Sequence, residues 1–196
     1  MRMLLRNIAE IQSGVYLRTS PSPNVRYLQV NDFDNEGSII SAAKPTVLLE
    51  EKNCNHILNY GDLLFAAKGN KNFSTIFTEC EYGCVASSSF LVIRITKKDI
   101  VIPEYLNWYL NLSRTIEQLS INAVGTSIPS ITKAMFEEVE LRLPSIEVQK
   151  KVVDIAGLQK QEQRLLASIA TRRQILIDNK LKQIISVPLK LGAIKN

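Results

Sequence analysis

The polar side chains best suited to chemistry lie in a short loop at residues 68–72, whose sequence is Lys-Gly-Asn-Lys-Asn. Lysine ammonium groups bind phosphate oxygens, and an asparagine carboxamide can pair with the edge of a nucleobase. A glycine without a Cβ lets a second backbone approach closely. The loop therefore suits a nucleic-acid contact, although an ordinary solvated hairpin loop has the same composition. Its candidate residues are Lys68, Gly69, Asn70, Lys71 and Asn72.

Two further groups share this mixture of cations, amides and hydroxyls. Each of them is also compatible with a solvated loop or strand that binds nothing. The first flanks a Pro-rich loop and continues on the strand after it, and the second lies in a Gly-containing loop. The first comprises Arg18, Thr19, Ser20, Arg26, Tyr27, Gln29 and Asn31, and the second comprises Thr126 and Ser127. We interpret the run at residues 87–89, three serines, as a polar stretch near the start of a strand.

The motifs of common catalytic sites are missing from this sequence. It contains one histidine, no nucleophile-elbow pattern, no phosphate-binding glycine loop and no Cys-x-x-Cys pair. Asp62 and Glu79 could form part of a nuclease-like carboxylate set, but the lysine expected two residues after the acid is replaced by Glu81. We therefore predict a non-catalytic protein that binds neither a metal ion nor a cofactor of its own.

Positive charge is concentrated at the C-terminal end. Residues 1–143 carry 14 Lys and Arg against 15 Asp and Glu, whereas residues 144–196 carry 10 against 4. A nucleic-acid site within the first part must therefore depend on a few placed side chains and not on bulk charge. No apolar run approaches the roughly 20 residues of a membrane helix, and no secretory leader is recognisable, so we expect a cytoplasmic protein.

The elements that would position these residues are short, and they alternate between strands and helices. Apolar spacing predicts a small amphipathic helix at residues 4–12, ended by Ser13 and Gly14. Apolar and β-branched runs predict strands, and Pro103 is well placed to begin a helix. The predicted strands cover residues 25–30, 63–67, 84–86, 90–96 and 139–143. This pattern indicates an α+β fold with a mixed, mostly antiparallel sheet and short helices.

A long helix is predicted at residues 145–185, where the sequence has no proline and only one glycine. Its length would be about 60 Å. Apolar residues recur at coiled-coil spacing and are interrupted by Glu162, Arg172 and Arg173, and such interruptions can set register. The residues predicted to face a partner helix are Val148, Val152, Ile155, Leu158, Glu162, Leu165, Leu166, Ile169 and Leu176. A helix packed on its own domain is the alternative.

Several stretches, taken in order, resemble the specificity subunits of type I restriction-modification systems. Residues 8–14 look like the opening of their target-recognition domains, and residues 60–64 with 68–70 look like their Gly-Asp strand and the following loop. Residues 86–94 resemble the next strand. The most specific pieces are residues 125–131 and 139–149, where a Leu-Pro-x-x-x-x-Gln junction enters the long helix.

The resemblance implies a target-recognition domain at residues 1–143, a spacer helix at 144–186 and a tail at 187–196. It implies recognition of double-stranded DNA and recruitment of a methyltransferase subunit that holds S-adenosylmethionine, with a restriction or translocase subunit as a further partner. Family members usually carry two recognition domains and two spacer helices, whereas this chain has one of each. The chain is thus either a half-subunit that homodimerises to read a symmetric bipartite site, or a fragment of a two-domain subunit. A scaffold with a helical docking stalk and a DNA-processing enzyme are the remaining alternatives.

Overall fold

The structure, a computed structural model, describes residues 1–34, 37–40, 44–69, 71–78, 83–121 and 129–186. The chain divides into two compact units, Met1–Val153 and Asp154–Asn196. The first unit combines small β-sheets with short helices, and one long helix continues into the second unit. The predicted α+β class, with a largely antiparallel sheet, short helices and a long C-terminal helix, is confirmed.

The strands of the first unit are β1 Arg2–Leu4, β2 Ala9–Ser13, β3 Arg26–Leu28, β4 Leu63–Ala66, β5 Ser74–Ile76, β6 Cys84–Ala86, β7 Phe90–Ile95 and β8 Glu140–Arg142. The main sheet has the strand order β2-β7-β4-β5, with antiparallel neighbours throughout. Strands β1 and β8 form an antiparallel pair, and β3 and β6 form a parallel one. The α-helices are α1 Pro103–Leu110, α2 Ser113–Ile121, α3 Lys133–Glu137 and α4 Ile146–Ser186. Short 3-10 helices cover Leu5–Asn7, Val30–Asp32 and Glu51–His56.

The prediction of an amphipathic helix at residues 4–12 is wrong. The segment instead forms β1, a 3-10 turn and β2. Ala9 and Ile11 are buried while Glu10 between them is exposed, which is the two-residue period of a strand. Five residues of β2 pair with β7. Four apolar positions in nine residues are compatible with the 3.6-residue period of a helix and with the two-residue period of a strand. The segment forms a strand because it pairs with β7.

The central strands are buried on both faces of the main sheet. Leu63 and Phe65 of β4 belong to a core cluster that includes α1 and α2 residues, whereas Leu64 and Ala66 belong to the cluster on the opposite face. Strand β7 divides its residues between the two clusters in the same alternating way. Burial on both sides explains why these strands appear in the sequence as continuous apolar runs.

Helix α4 begins inside the first unit. Gln149 in its first turns is fully buried, and Val152 and Val153 pack against the larger core cluster. From Asp154 to Ile185 nearly every residue of the helix is exposed, Ala156 being half-buried. None of the helices in the described residues is both long enough and apolar enough to cross a membrane.

Candidate nucleic-acid interface

A cleft of about 890 Å³ lies in the first unit, where four separate segments meet. Two of these segments follow β2 and β3, the third follows β4, and the fourth is the turn between β6 and β7. The residues that line it are Tyr16, Leu17, Arg18, Thr19, Tyr27, Gln29, Val30, Asn31, Lys68, Gly69, Lys71, Ser87, Ser88 and Ser89. The structure thus brings two of the three predicted groups into one concave surface.

The floor of the cleft is a turn of three serines held by backbone hydrogen bonds. The Phe90 amide donates to the Ser87 carbonyl over 2.9 Å and closes the turn. The Ala67 amide donates to the Ser89 carbonyl over 2.9 Å, and the Ser87 amide donates to Leu28 over the same distance. Because neighbouring strands satisfy these backbone groups, the hydroxyls of the partly exposed Ser88 and Ser89 are presented in a fixed arrangement.

One wall comes from the chain that leaves β2. The Val15 amide donates to the Ala86 carbonyl over 3.0 Å, and Val15 pairs with Ser87 as a parallel bridge. The Tyr27 hydroxyl donates to the Val15 carbonyl over 2.9 Å, which ties this wall to β3. Tyr16 and Arg18 project from the wall and are exposed, Tyr16 by 71%.

A second wall comes from the loop after β4. Lys68 forms an antiparallel bridge with Ser130, and the Gly69 amide donates to the Pro129 carbonyl over 3.1 Å. Gly69 has φ +99°, a conformation that other residues rarely adopt. The Asn72 amide group donates to the Ala66 carbonyl over 2.8 Å, so Asn72 braces the loop from within. Lys68 and Lys71 remain exposed.

All charged residues among the described lining of the cleft are cations. Arg18, Lys68 and Lys71 contribute cations, and no Asp or Glu is among the lining residues. Within the described part of the chain, none of these three cations forms an ion pair. Cations, the exposed carboxamides of Gln29 and Asn31, and the serine hydroxyls are the groups that contact phosphates and base edges.

The predicted residues Ser20 and Arg26 do not line the cleft. The Ser20 hydroxyl accepts a hydrogen bond from the Ser22 amide over 3.2 Å within the Pro-rich turn. Arg26 is only 7% exposed and does not line the cleft. Asn70, Thr126 and Ser127 lie outside the described residues.

Sequence reasoning missed Tyr16 and the serines at 87–89 as residues of the candidate site. The three consecutive hydroxyl residues were the only available signal, and their position depends on the pairing of β7 with β2 and β4.

Asp62, which the sequence offered as a possible nuclease carboxylate, forms an internal ion pair. It is 2% exposed, and its two carboxylate oxygens accept hydrogen bonds from Arg94 over 2.9 and 2.7 Å. The hydrogen bond to Asp62 raises the pKa of Arg94 above its ordinary value. The pair anchors the turn before β4, where the Asn59 amide also donates to Asp62 over 2.8 Å. In the described residues, no three His, Cys, Asp or Glu side chains converge as metal ligands.

The residues predicted to face a partner helix are mostly exposed in the single chain. Val152 packs against the core of the first unit and is half-buried. The exposed members are Val148, Ile155, Leu158, Glu162, Leu165, Leu166, Ile169 and Leu176.

The chain is similar in fold to several solved structures. One is the S subunit of a type I restriction-modification system from M. genitalium, with 12% identity and a TM-score of 0.56 over 91% of this chain and 44% of that one. A second comes from work on complex assembly and conformational transition of the type I R-M system. It has 20% identity and a TM-score of 0.59 over 94% of this chain and 43% of that one. A third, the HsdS subunit from Thermoanaerobacter tengcongensis, has 18% identity and a TM-score of 0.51 over 85% and 38%.

At these identities the likeness establishes the fold alone, and the chain spans less than half the length of each of these three. No curated protein sequence matches the chain significantly. Residues 3–173 match the family model of the type I restriction modification DNA specificity domain. Since that match covers most of the chain, the protein belongs to the family of type I restriction-modification DNA specificity domains.

Proposed function

We propose that this chain is the non-catalytic DNA-recognition subunit of a cytoplasmic type I restriction-modification system. The observation that carries the proposal is the cleft, whose described lining combines three unpaired cations with amides and hydroxyls and contains no carboxylate. Cations with no carboxylate beside them attract the phosphodiester backbone, and exposed amide side chains can distinguish bases.

Within the cleft, two tasks fall to different side chains. Arg18, Lys68 and Lys71 are exposed cations that hold phosphates and fix the position of the duplex. Gln29 and Asn31 are exposed amides at the end of β3, and they are suited to base edges. The serine turn supports both tasks with hydroxyl groups.

We further propose that the chain acts as a half-subunit. The support for this comes from α4, whose apolar residues are exposed when the chain is alone. Two copies joined through their long helices would carry two identical recognition domains and read a symmetric bipartite site. The methyltransferase subunit that they recruit would hold S-adenosylmethionine, and a restriction or translocase subunit would complete the assembly.

The test is selection from a randomised duplex library by the chain reconstituted with its methyltransferase subunit. The expected result is enrichment of one symmetric bipartite sequence. Enrichment of a single half-site without its symmetric repeat would instead support a fragment of a two-domain subunit. Failure to enrich any sequence, with a folded complex, would overturn DNA recognition and favour a scaffold. Turnover of DNA by the isolated chain would favour an enzyme.

A further inference from the structure

The exposed side of α4 carries a regular apolar repeat with two charged positions in it. Ile155, Leu158, Leu165, Ile169 and Leu176 are between 48% and 67% exposed. Together with residues 162 and 172, they form a series in which steps of three and four residues alternate. This is the period of 3.5 residues that lets two helices pack along a continuous seam.

The two charged positions within the repeat, Glu162 and Arg172, have opposite charges, while Arg173 lies next to the repeat and not in it. Glu162 and Arg172 are both exposed, and in the described part of the chain neither forms an ion pair. In a parallel pair of helices in register, each residue faces its own copy. Glu162 would then face Glu162 and Arg172 would face Arg172, which places like charges together twice in the seam.

In an antiparallel pair, a residue of the seam faces a different residue of the second copy and not its own counterpart. If Glu162 of one copy faces Arg172 of the other, the two-fold axis passes at Ala167, and the symmetry creates a second identical ion pair. The same register places Leu165 opposite Ile169 and Leu158 opposite Leu176. All six central layers are then either apolar or oppositely charged.

Neighbouring registers lose this match. A shift of one heptad in one direction places Glu162 opposite Asn179 and Arg172 opposite Ile169. A shift in the other direction places Glu162 opposite Leu165 and Arg172 opposite Ile155. In both cases the charges face neutral or apolar side chains and are partly desolvated without a partner, which is unfavourable.

We propose that a second copy of this chain occupies the exposed face of α4 in an antiparallel register fixed by two reciprocal Glu162–Arg172 ion pairs. The inference rests on the proposed homodimer and adds the register of its helices and the two side chains that fix this register. The two charges act as the polar specificity element of the seam, since they favour one alignment at some cost in stability.

The experiment is charge reversal in the full-length chain, with the dimer dissociation constant measured by sedimentation equilibrium at about 0.15 M salt, where distant charges are screened. Glu162→Arg and Arg172→Glu each replace two attractive pairs by two repulsive ones. Each should weaken the homodimer by about tenfold or more. The double variant restores opposite charges and should recover the wild-type constant.

A mixture of the two single variants provides the sharpest readout. One chain then carries two arginines and the other two glutamates at the paired positions, so the heterodimer should form in preference to either homodimer. Lys160→Glu is the matched control, because residue 160 lies on the opposite side of the helix from the seam and its reversal should leave the constant unchanged. Thermal melting of each variant checks that the first unit stays folded.

The outcomes separate the register from the proposed dimer. A wild-type dimer whose constant ignores both single reversals, or that the double variant fails to recover, would overturn the register and leave the dimer standing. A wild-type chain that stays monomeric alone but binds the methyltransferase subunit would overturn both and assign the face to that subunit. The half-site sequence enriched in the DNA selection is independent of these results, since it reports on the cleft of the first unit. The symmetric repetition of that half-site tests the dimer but not its register.

Discussion

The backbones of Gly14 and Ser87 approach so closely that a Cβ atom added to Gly14 would stand 2.1 Å from the Ser87 carbonyl oxygen. The contact lies where the wall that leaves β2 meets the serine turn of the cleft. The Gly14 amide also donates to the Phe90 carbonyl over 2.9 Å. Gly14 thus joins two segments that could not pack in this way around a larger residue.

Gly14→Ala should lower the free energy of unfolding by about 3 kcal/mol, since the obstructing atoms are backbone and cannot rotate away. Urea denaturation measures this change. Gly157→Ala is the control, because a Cβ at this exposed helical position meets no atom within 4 Å. Alanine favours a helix over glycine by about 1 kcal/mol, so this variant should not be destabilised. Equal stability of Gly14→Ala and the wild type would refute the close packing at the cleft.

Replacement of Lys68 and Lys71 by alanine should weaken DNA binding for all sequences alike. Two phosphate contacts fewer per recognition domain should reduce the slope of log affinity against log salt concentration by about two. Fluorescence anisotropy over a salt series measures both quantities. Lys97 and Lys98 form an exposed pair outside the cleft, and their double replacement removes the same charge. If the two double variants behave identically, the loop contributes only bulk charge and is not part of the interface.

The strands at the centre of the sheet could be predicted, because burial on both faces leaves an unbroken apolar run. The cleft could be predicted only in part. Lys68 and Lys71 were identified from their local composition, but the role of Ser88 depends on which strands pair. Arg26 is a polar residue on the strand that follows the Pro-rich loop, and its composition alone predicts a site residue. Alternation along β3, however, turns the side chains of Arg26 and Tyr27 to opposite faces, and Arg26 is buried. Local sequence does not state which face of a short strand is covered.

Gln149 is expected to be essential for the start of α4. Its side chain is fully buried, where its oxygen accepts a hydrogen bond from the Ile102 amide over 3.1 Å and its nitrogen donates to Ile100 and Pro144 over 2.7 and 2.9 Å. Gln149→Ala leaves these backbone groups buried without their partner and should cost about 2–3 kcal/mol of unfolding free energy. Lys150→Ala, on the exposed neighbouring position, is the control and should change stability by less than about 0.5 kcal/mol. If Gln149→Ala lowers the unfolding free energy only slightly, water must form the hydrogen bonds that the Gln149 side chain forms in the wild type.

Tyr105 should make the first unit sensitive to alkaline pH. Its hydroxyl donates to the Arg142 carbonyl over 2.7 Å, and burial raises the pKa of Tyr105 above its ordinary value of 10.0. The folded state therefore holds this proton more tightly than the unfolded state. The associated stability is fully present below about pH 10 and is lost as the pH rises through the folded pKa.

Tyr105→Phe removes the proton and the hydrogen bond together. At pH 7 the variant should be less stable by about 1 kcal/mol, and this difference should shrink above pH 10, since only the wild type is then penalised by ionisation. Urea unfolding at several pH values measures the difference directly and cancels the titration of the other tyrosines. Tyr60→Phe, at a tyrosine that is 71% exposed, is the control and should show neither effect. A difference that grows with pH would contradict the sign derived from the buried hydroxyl.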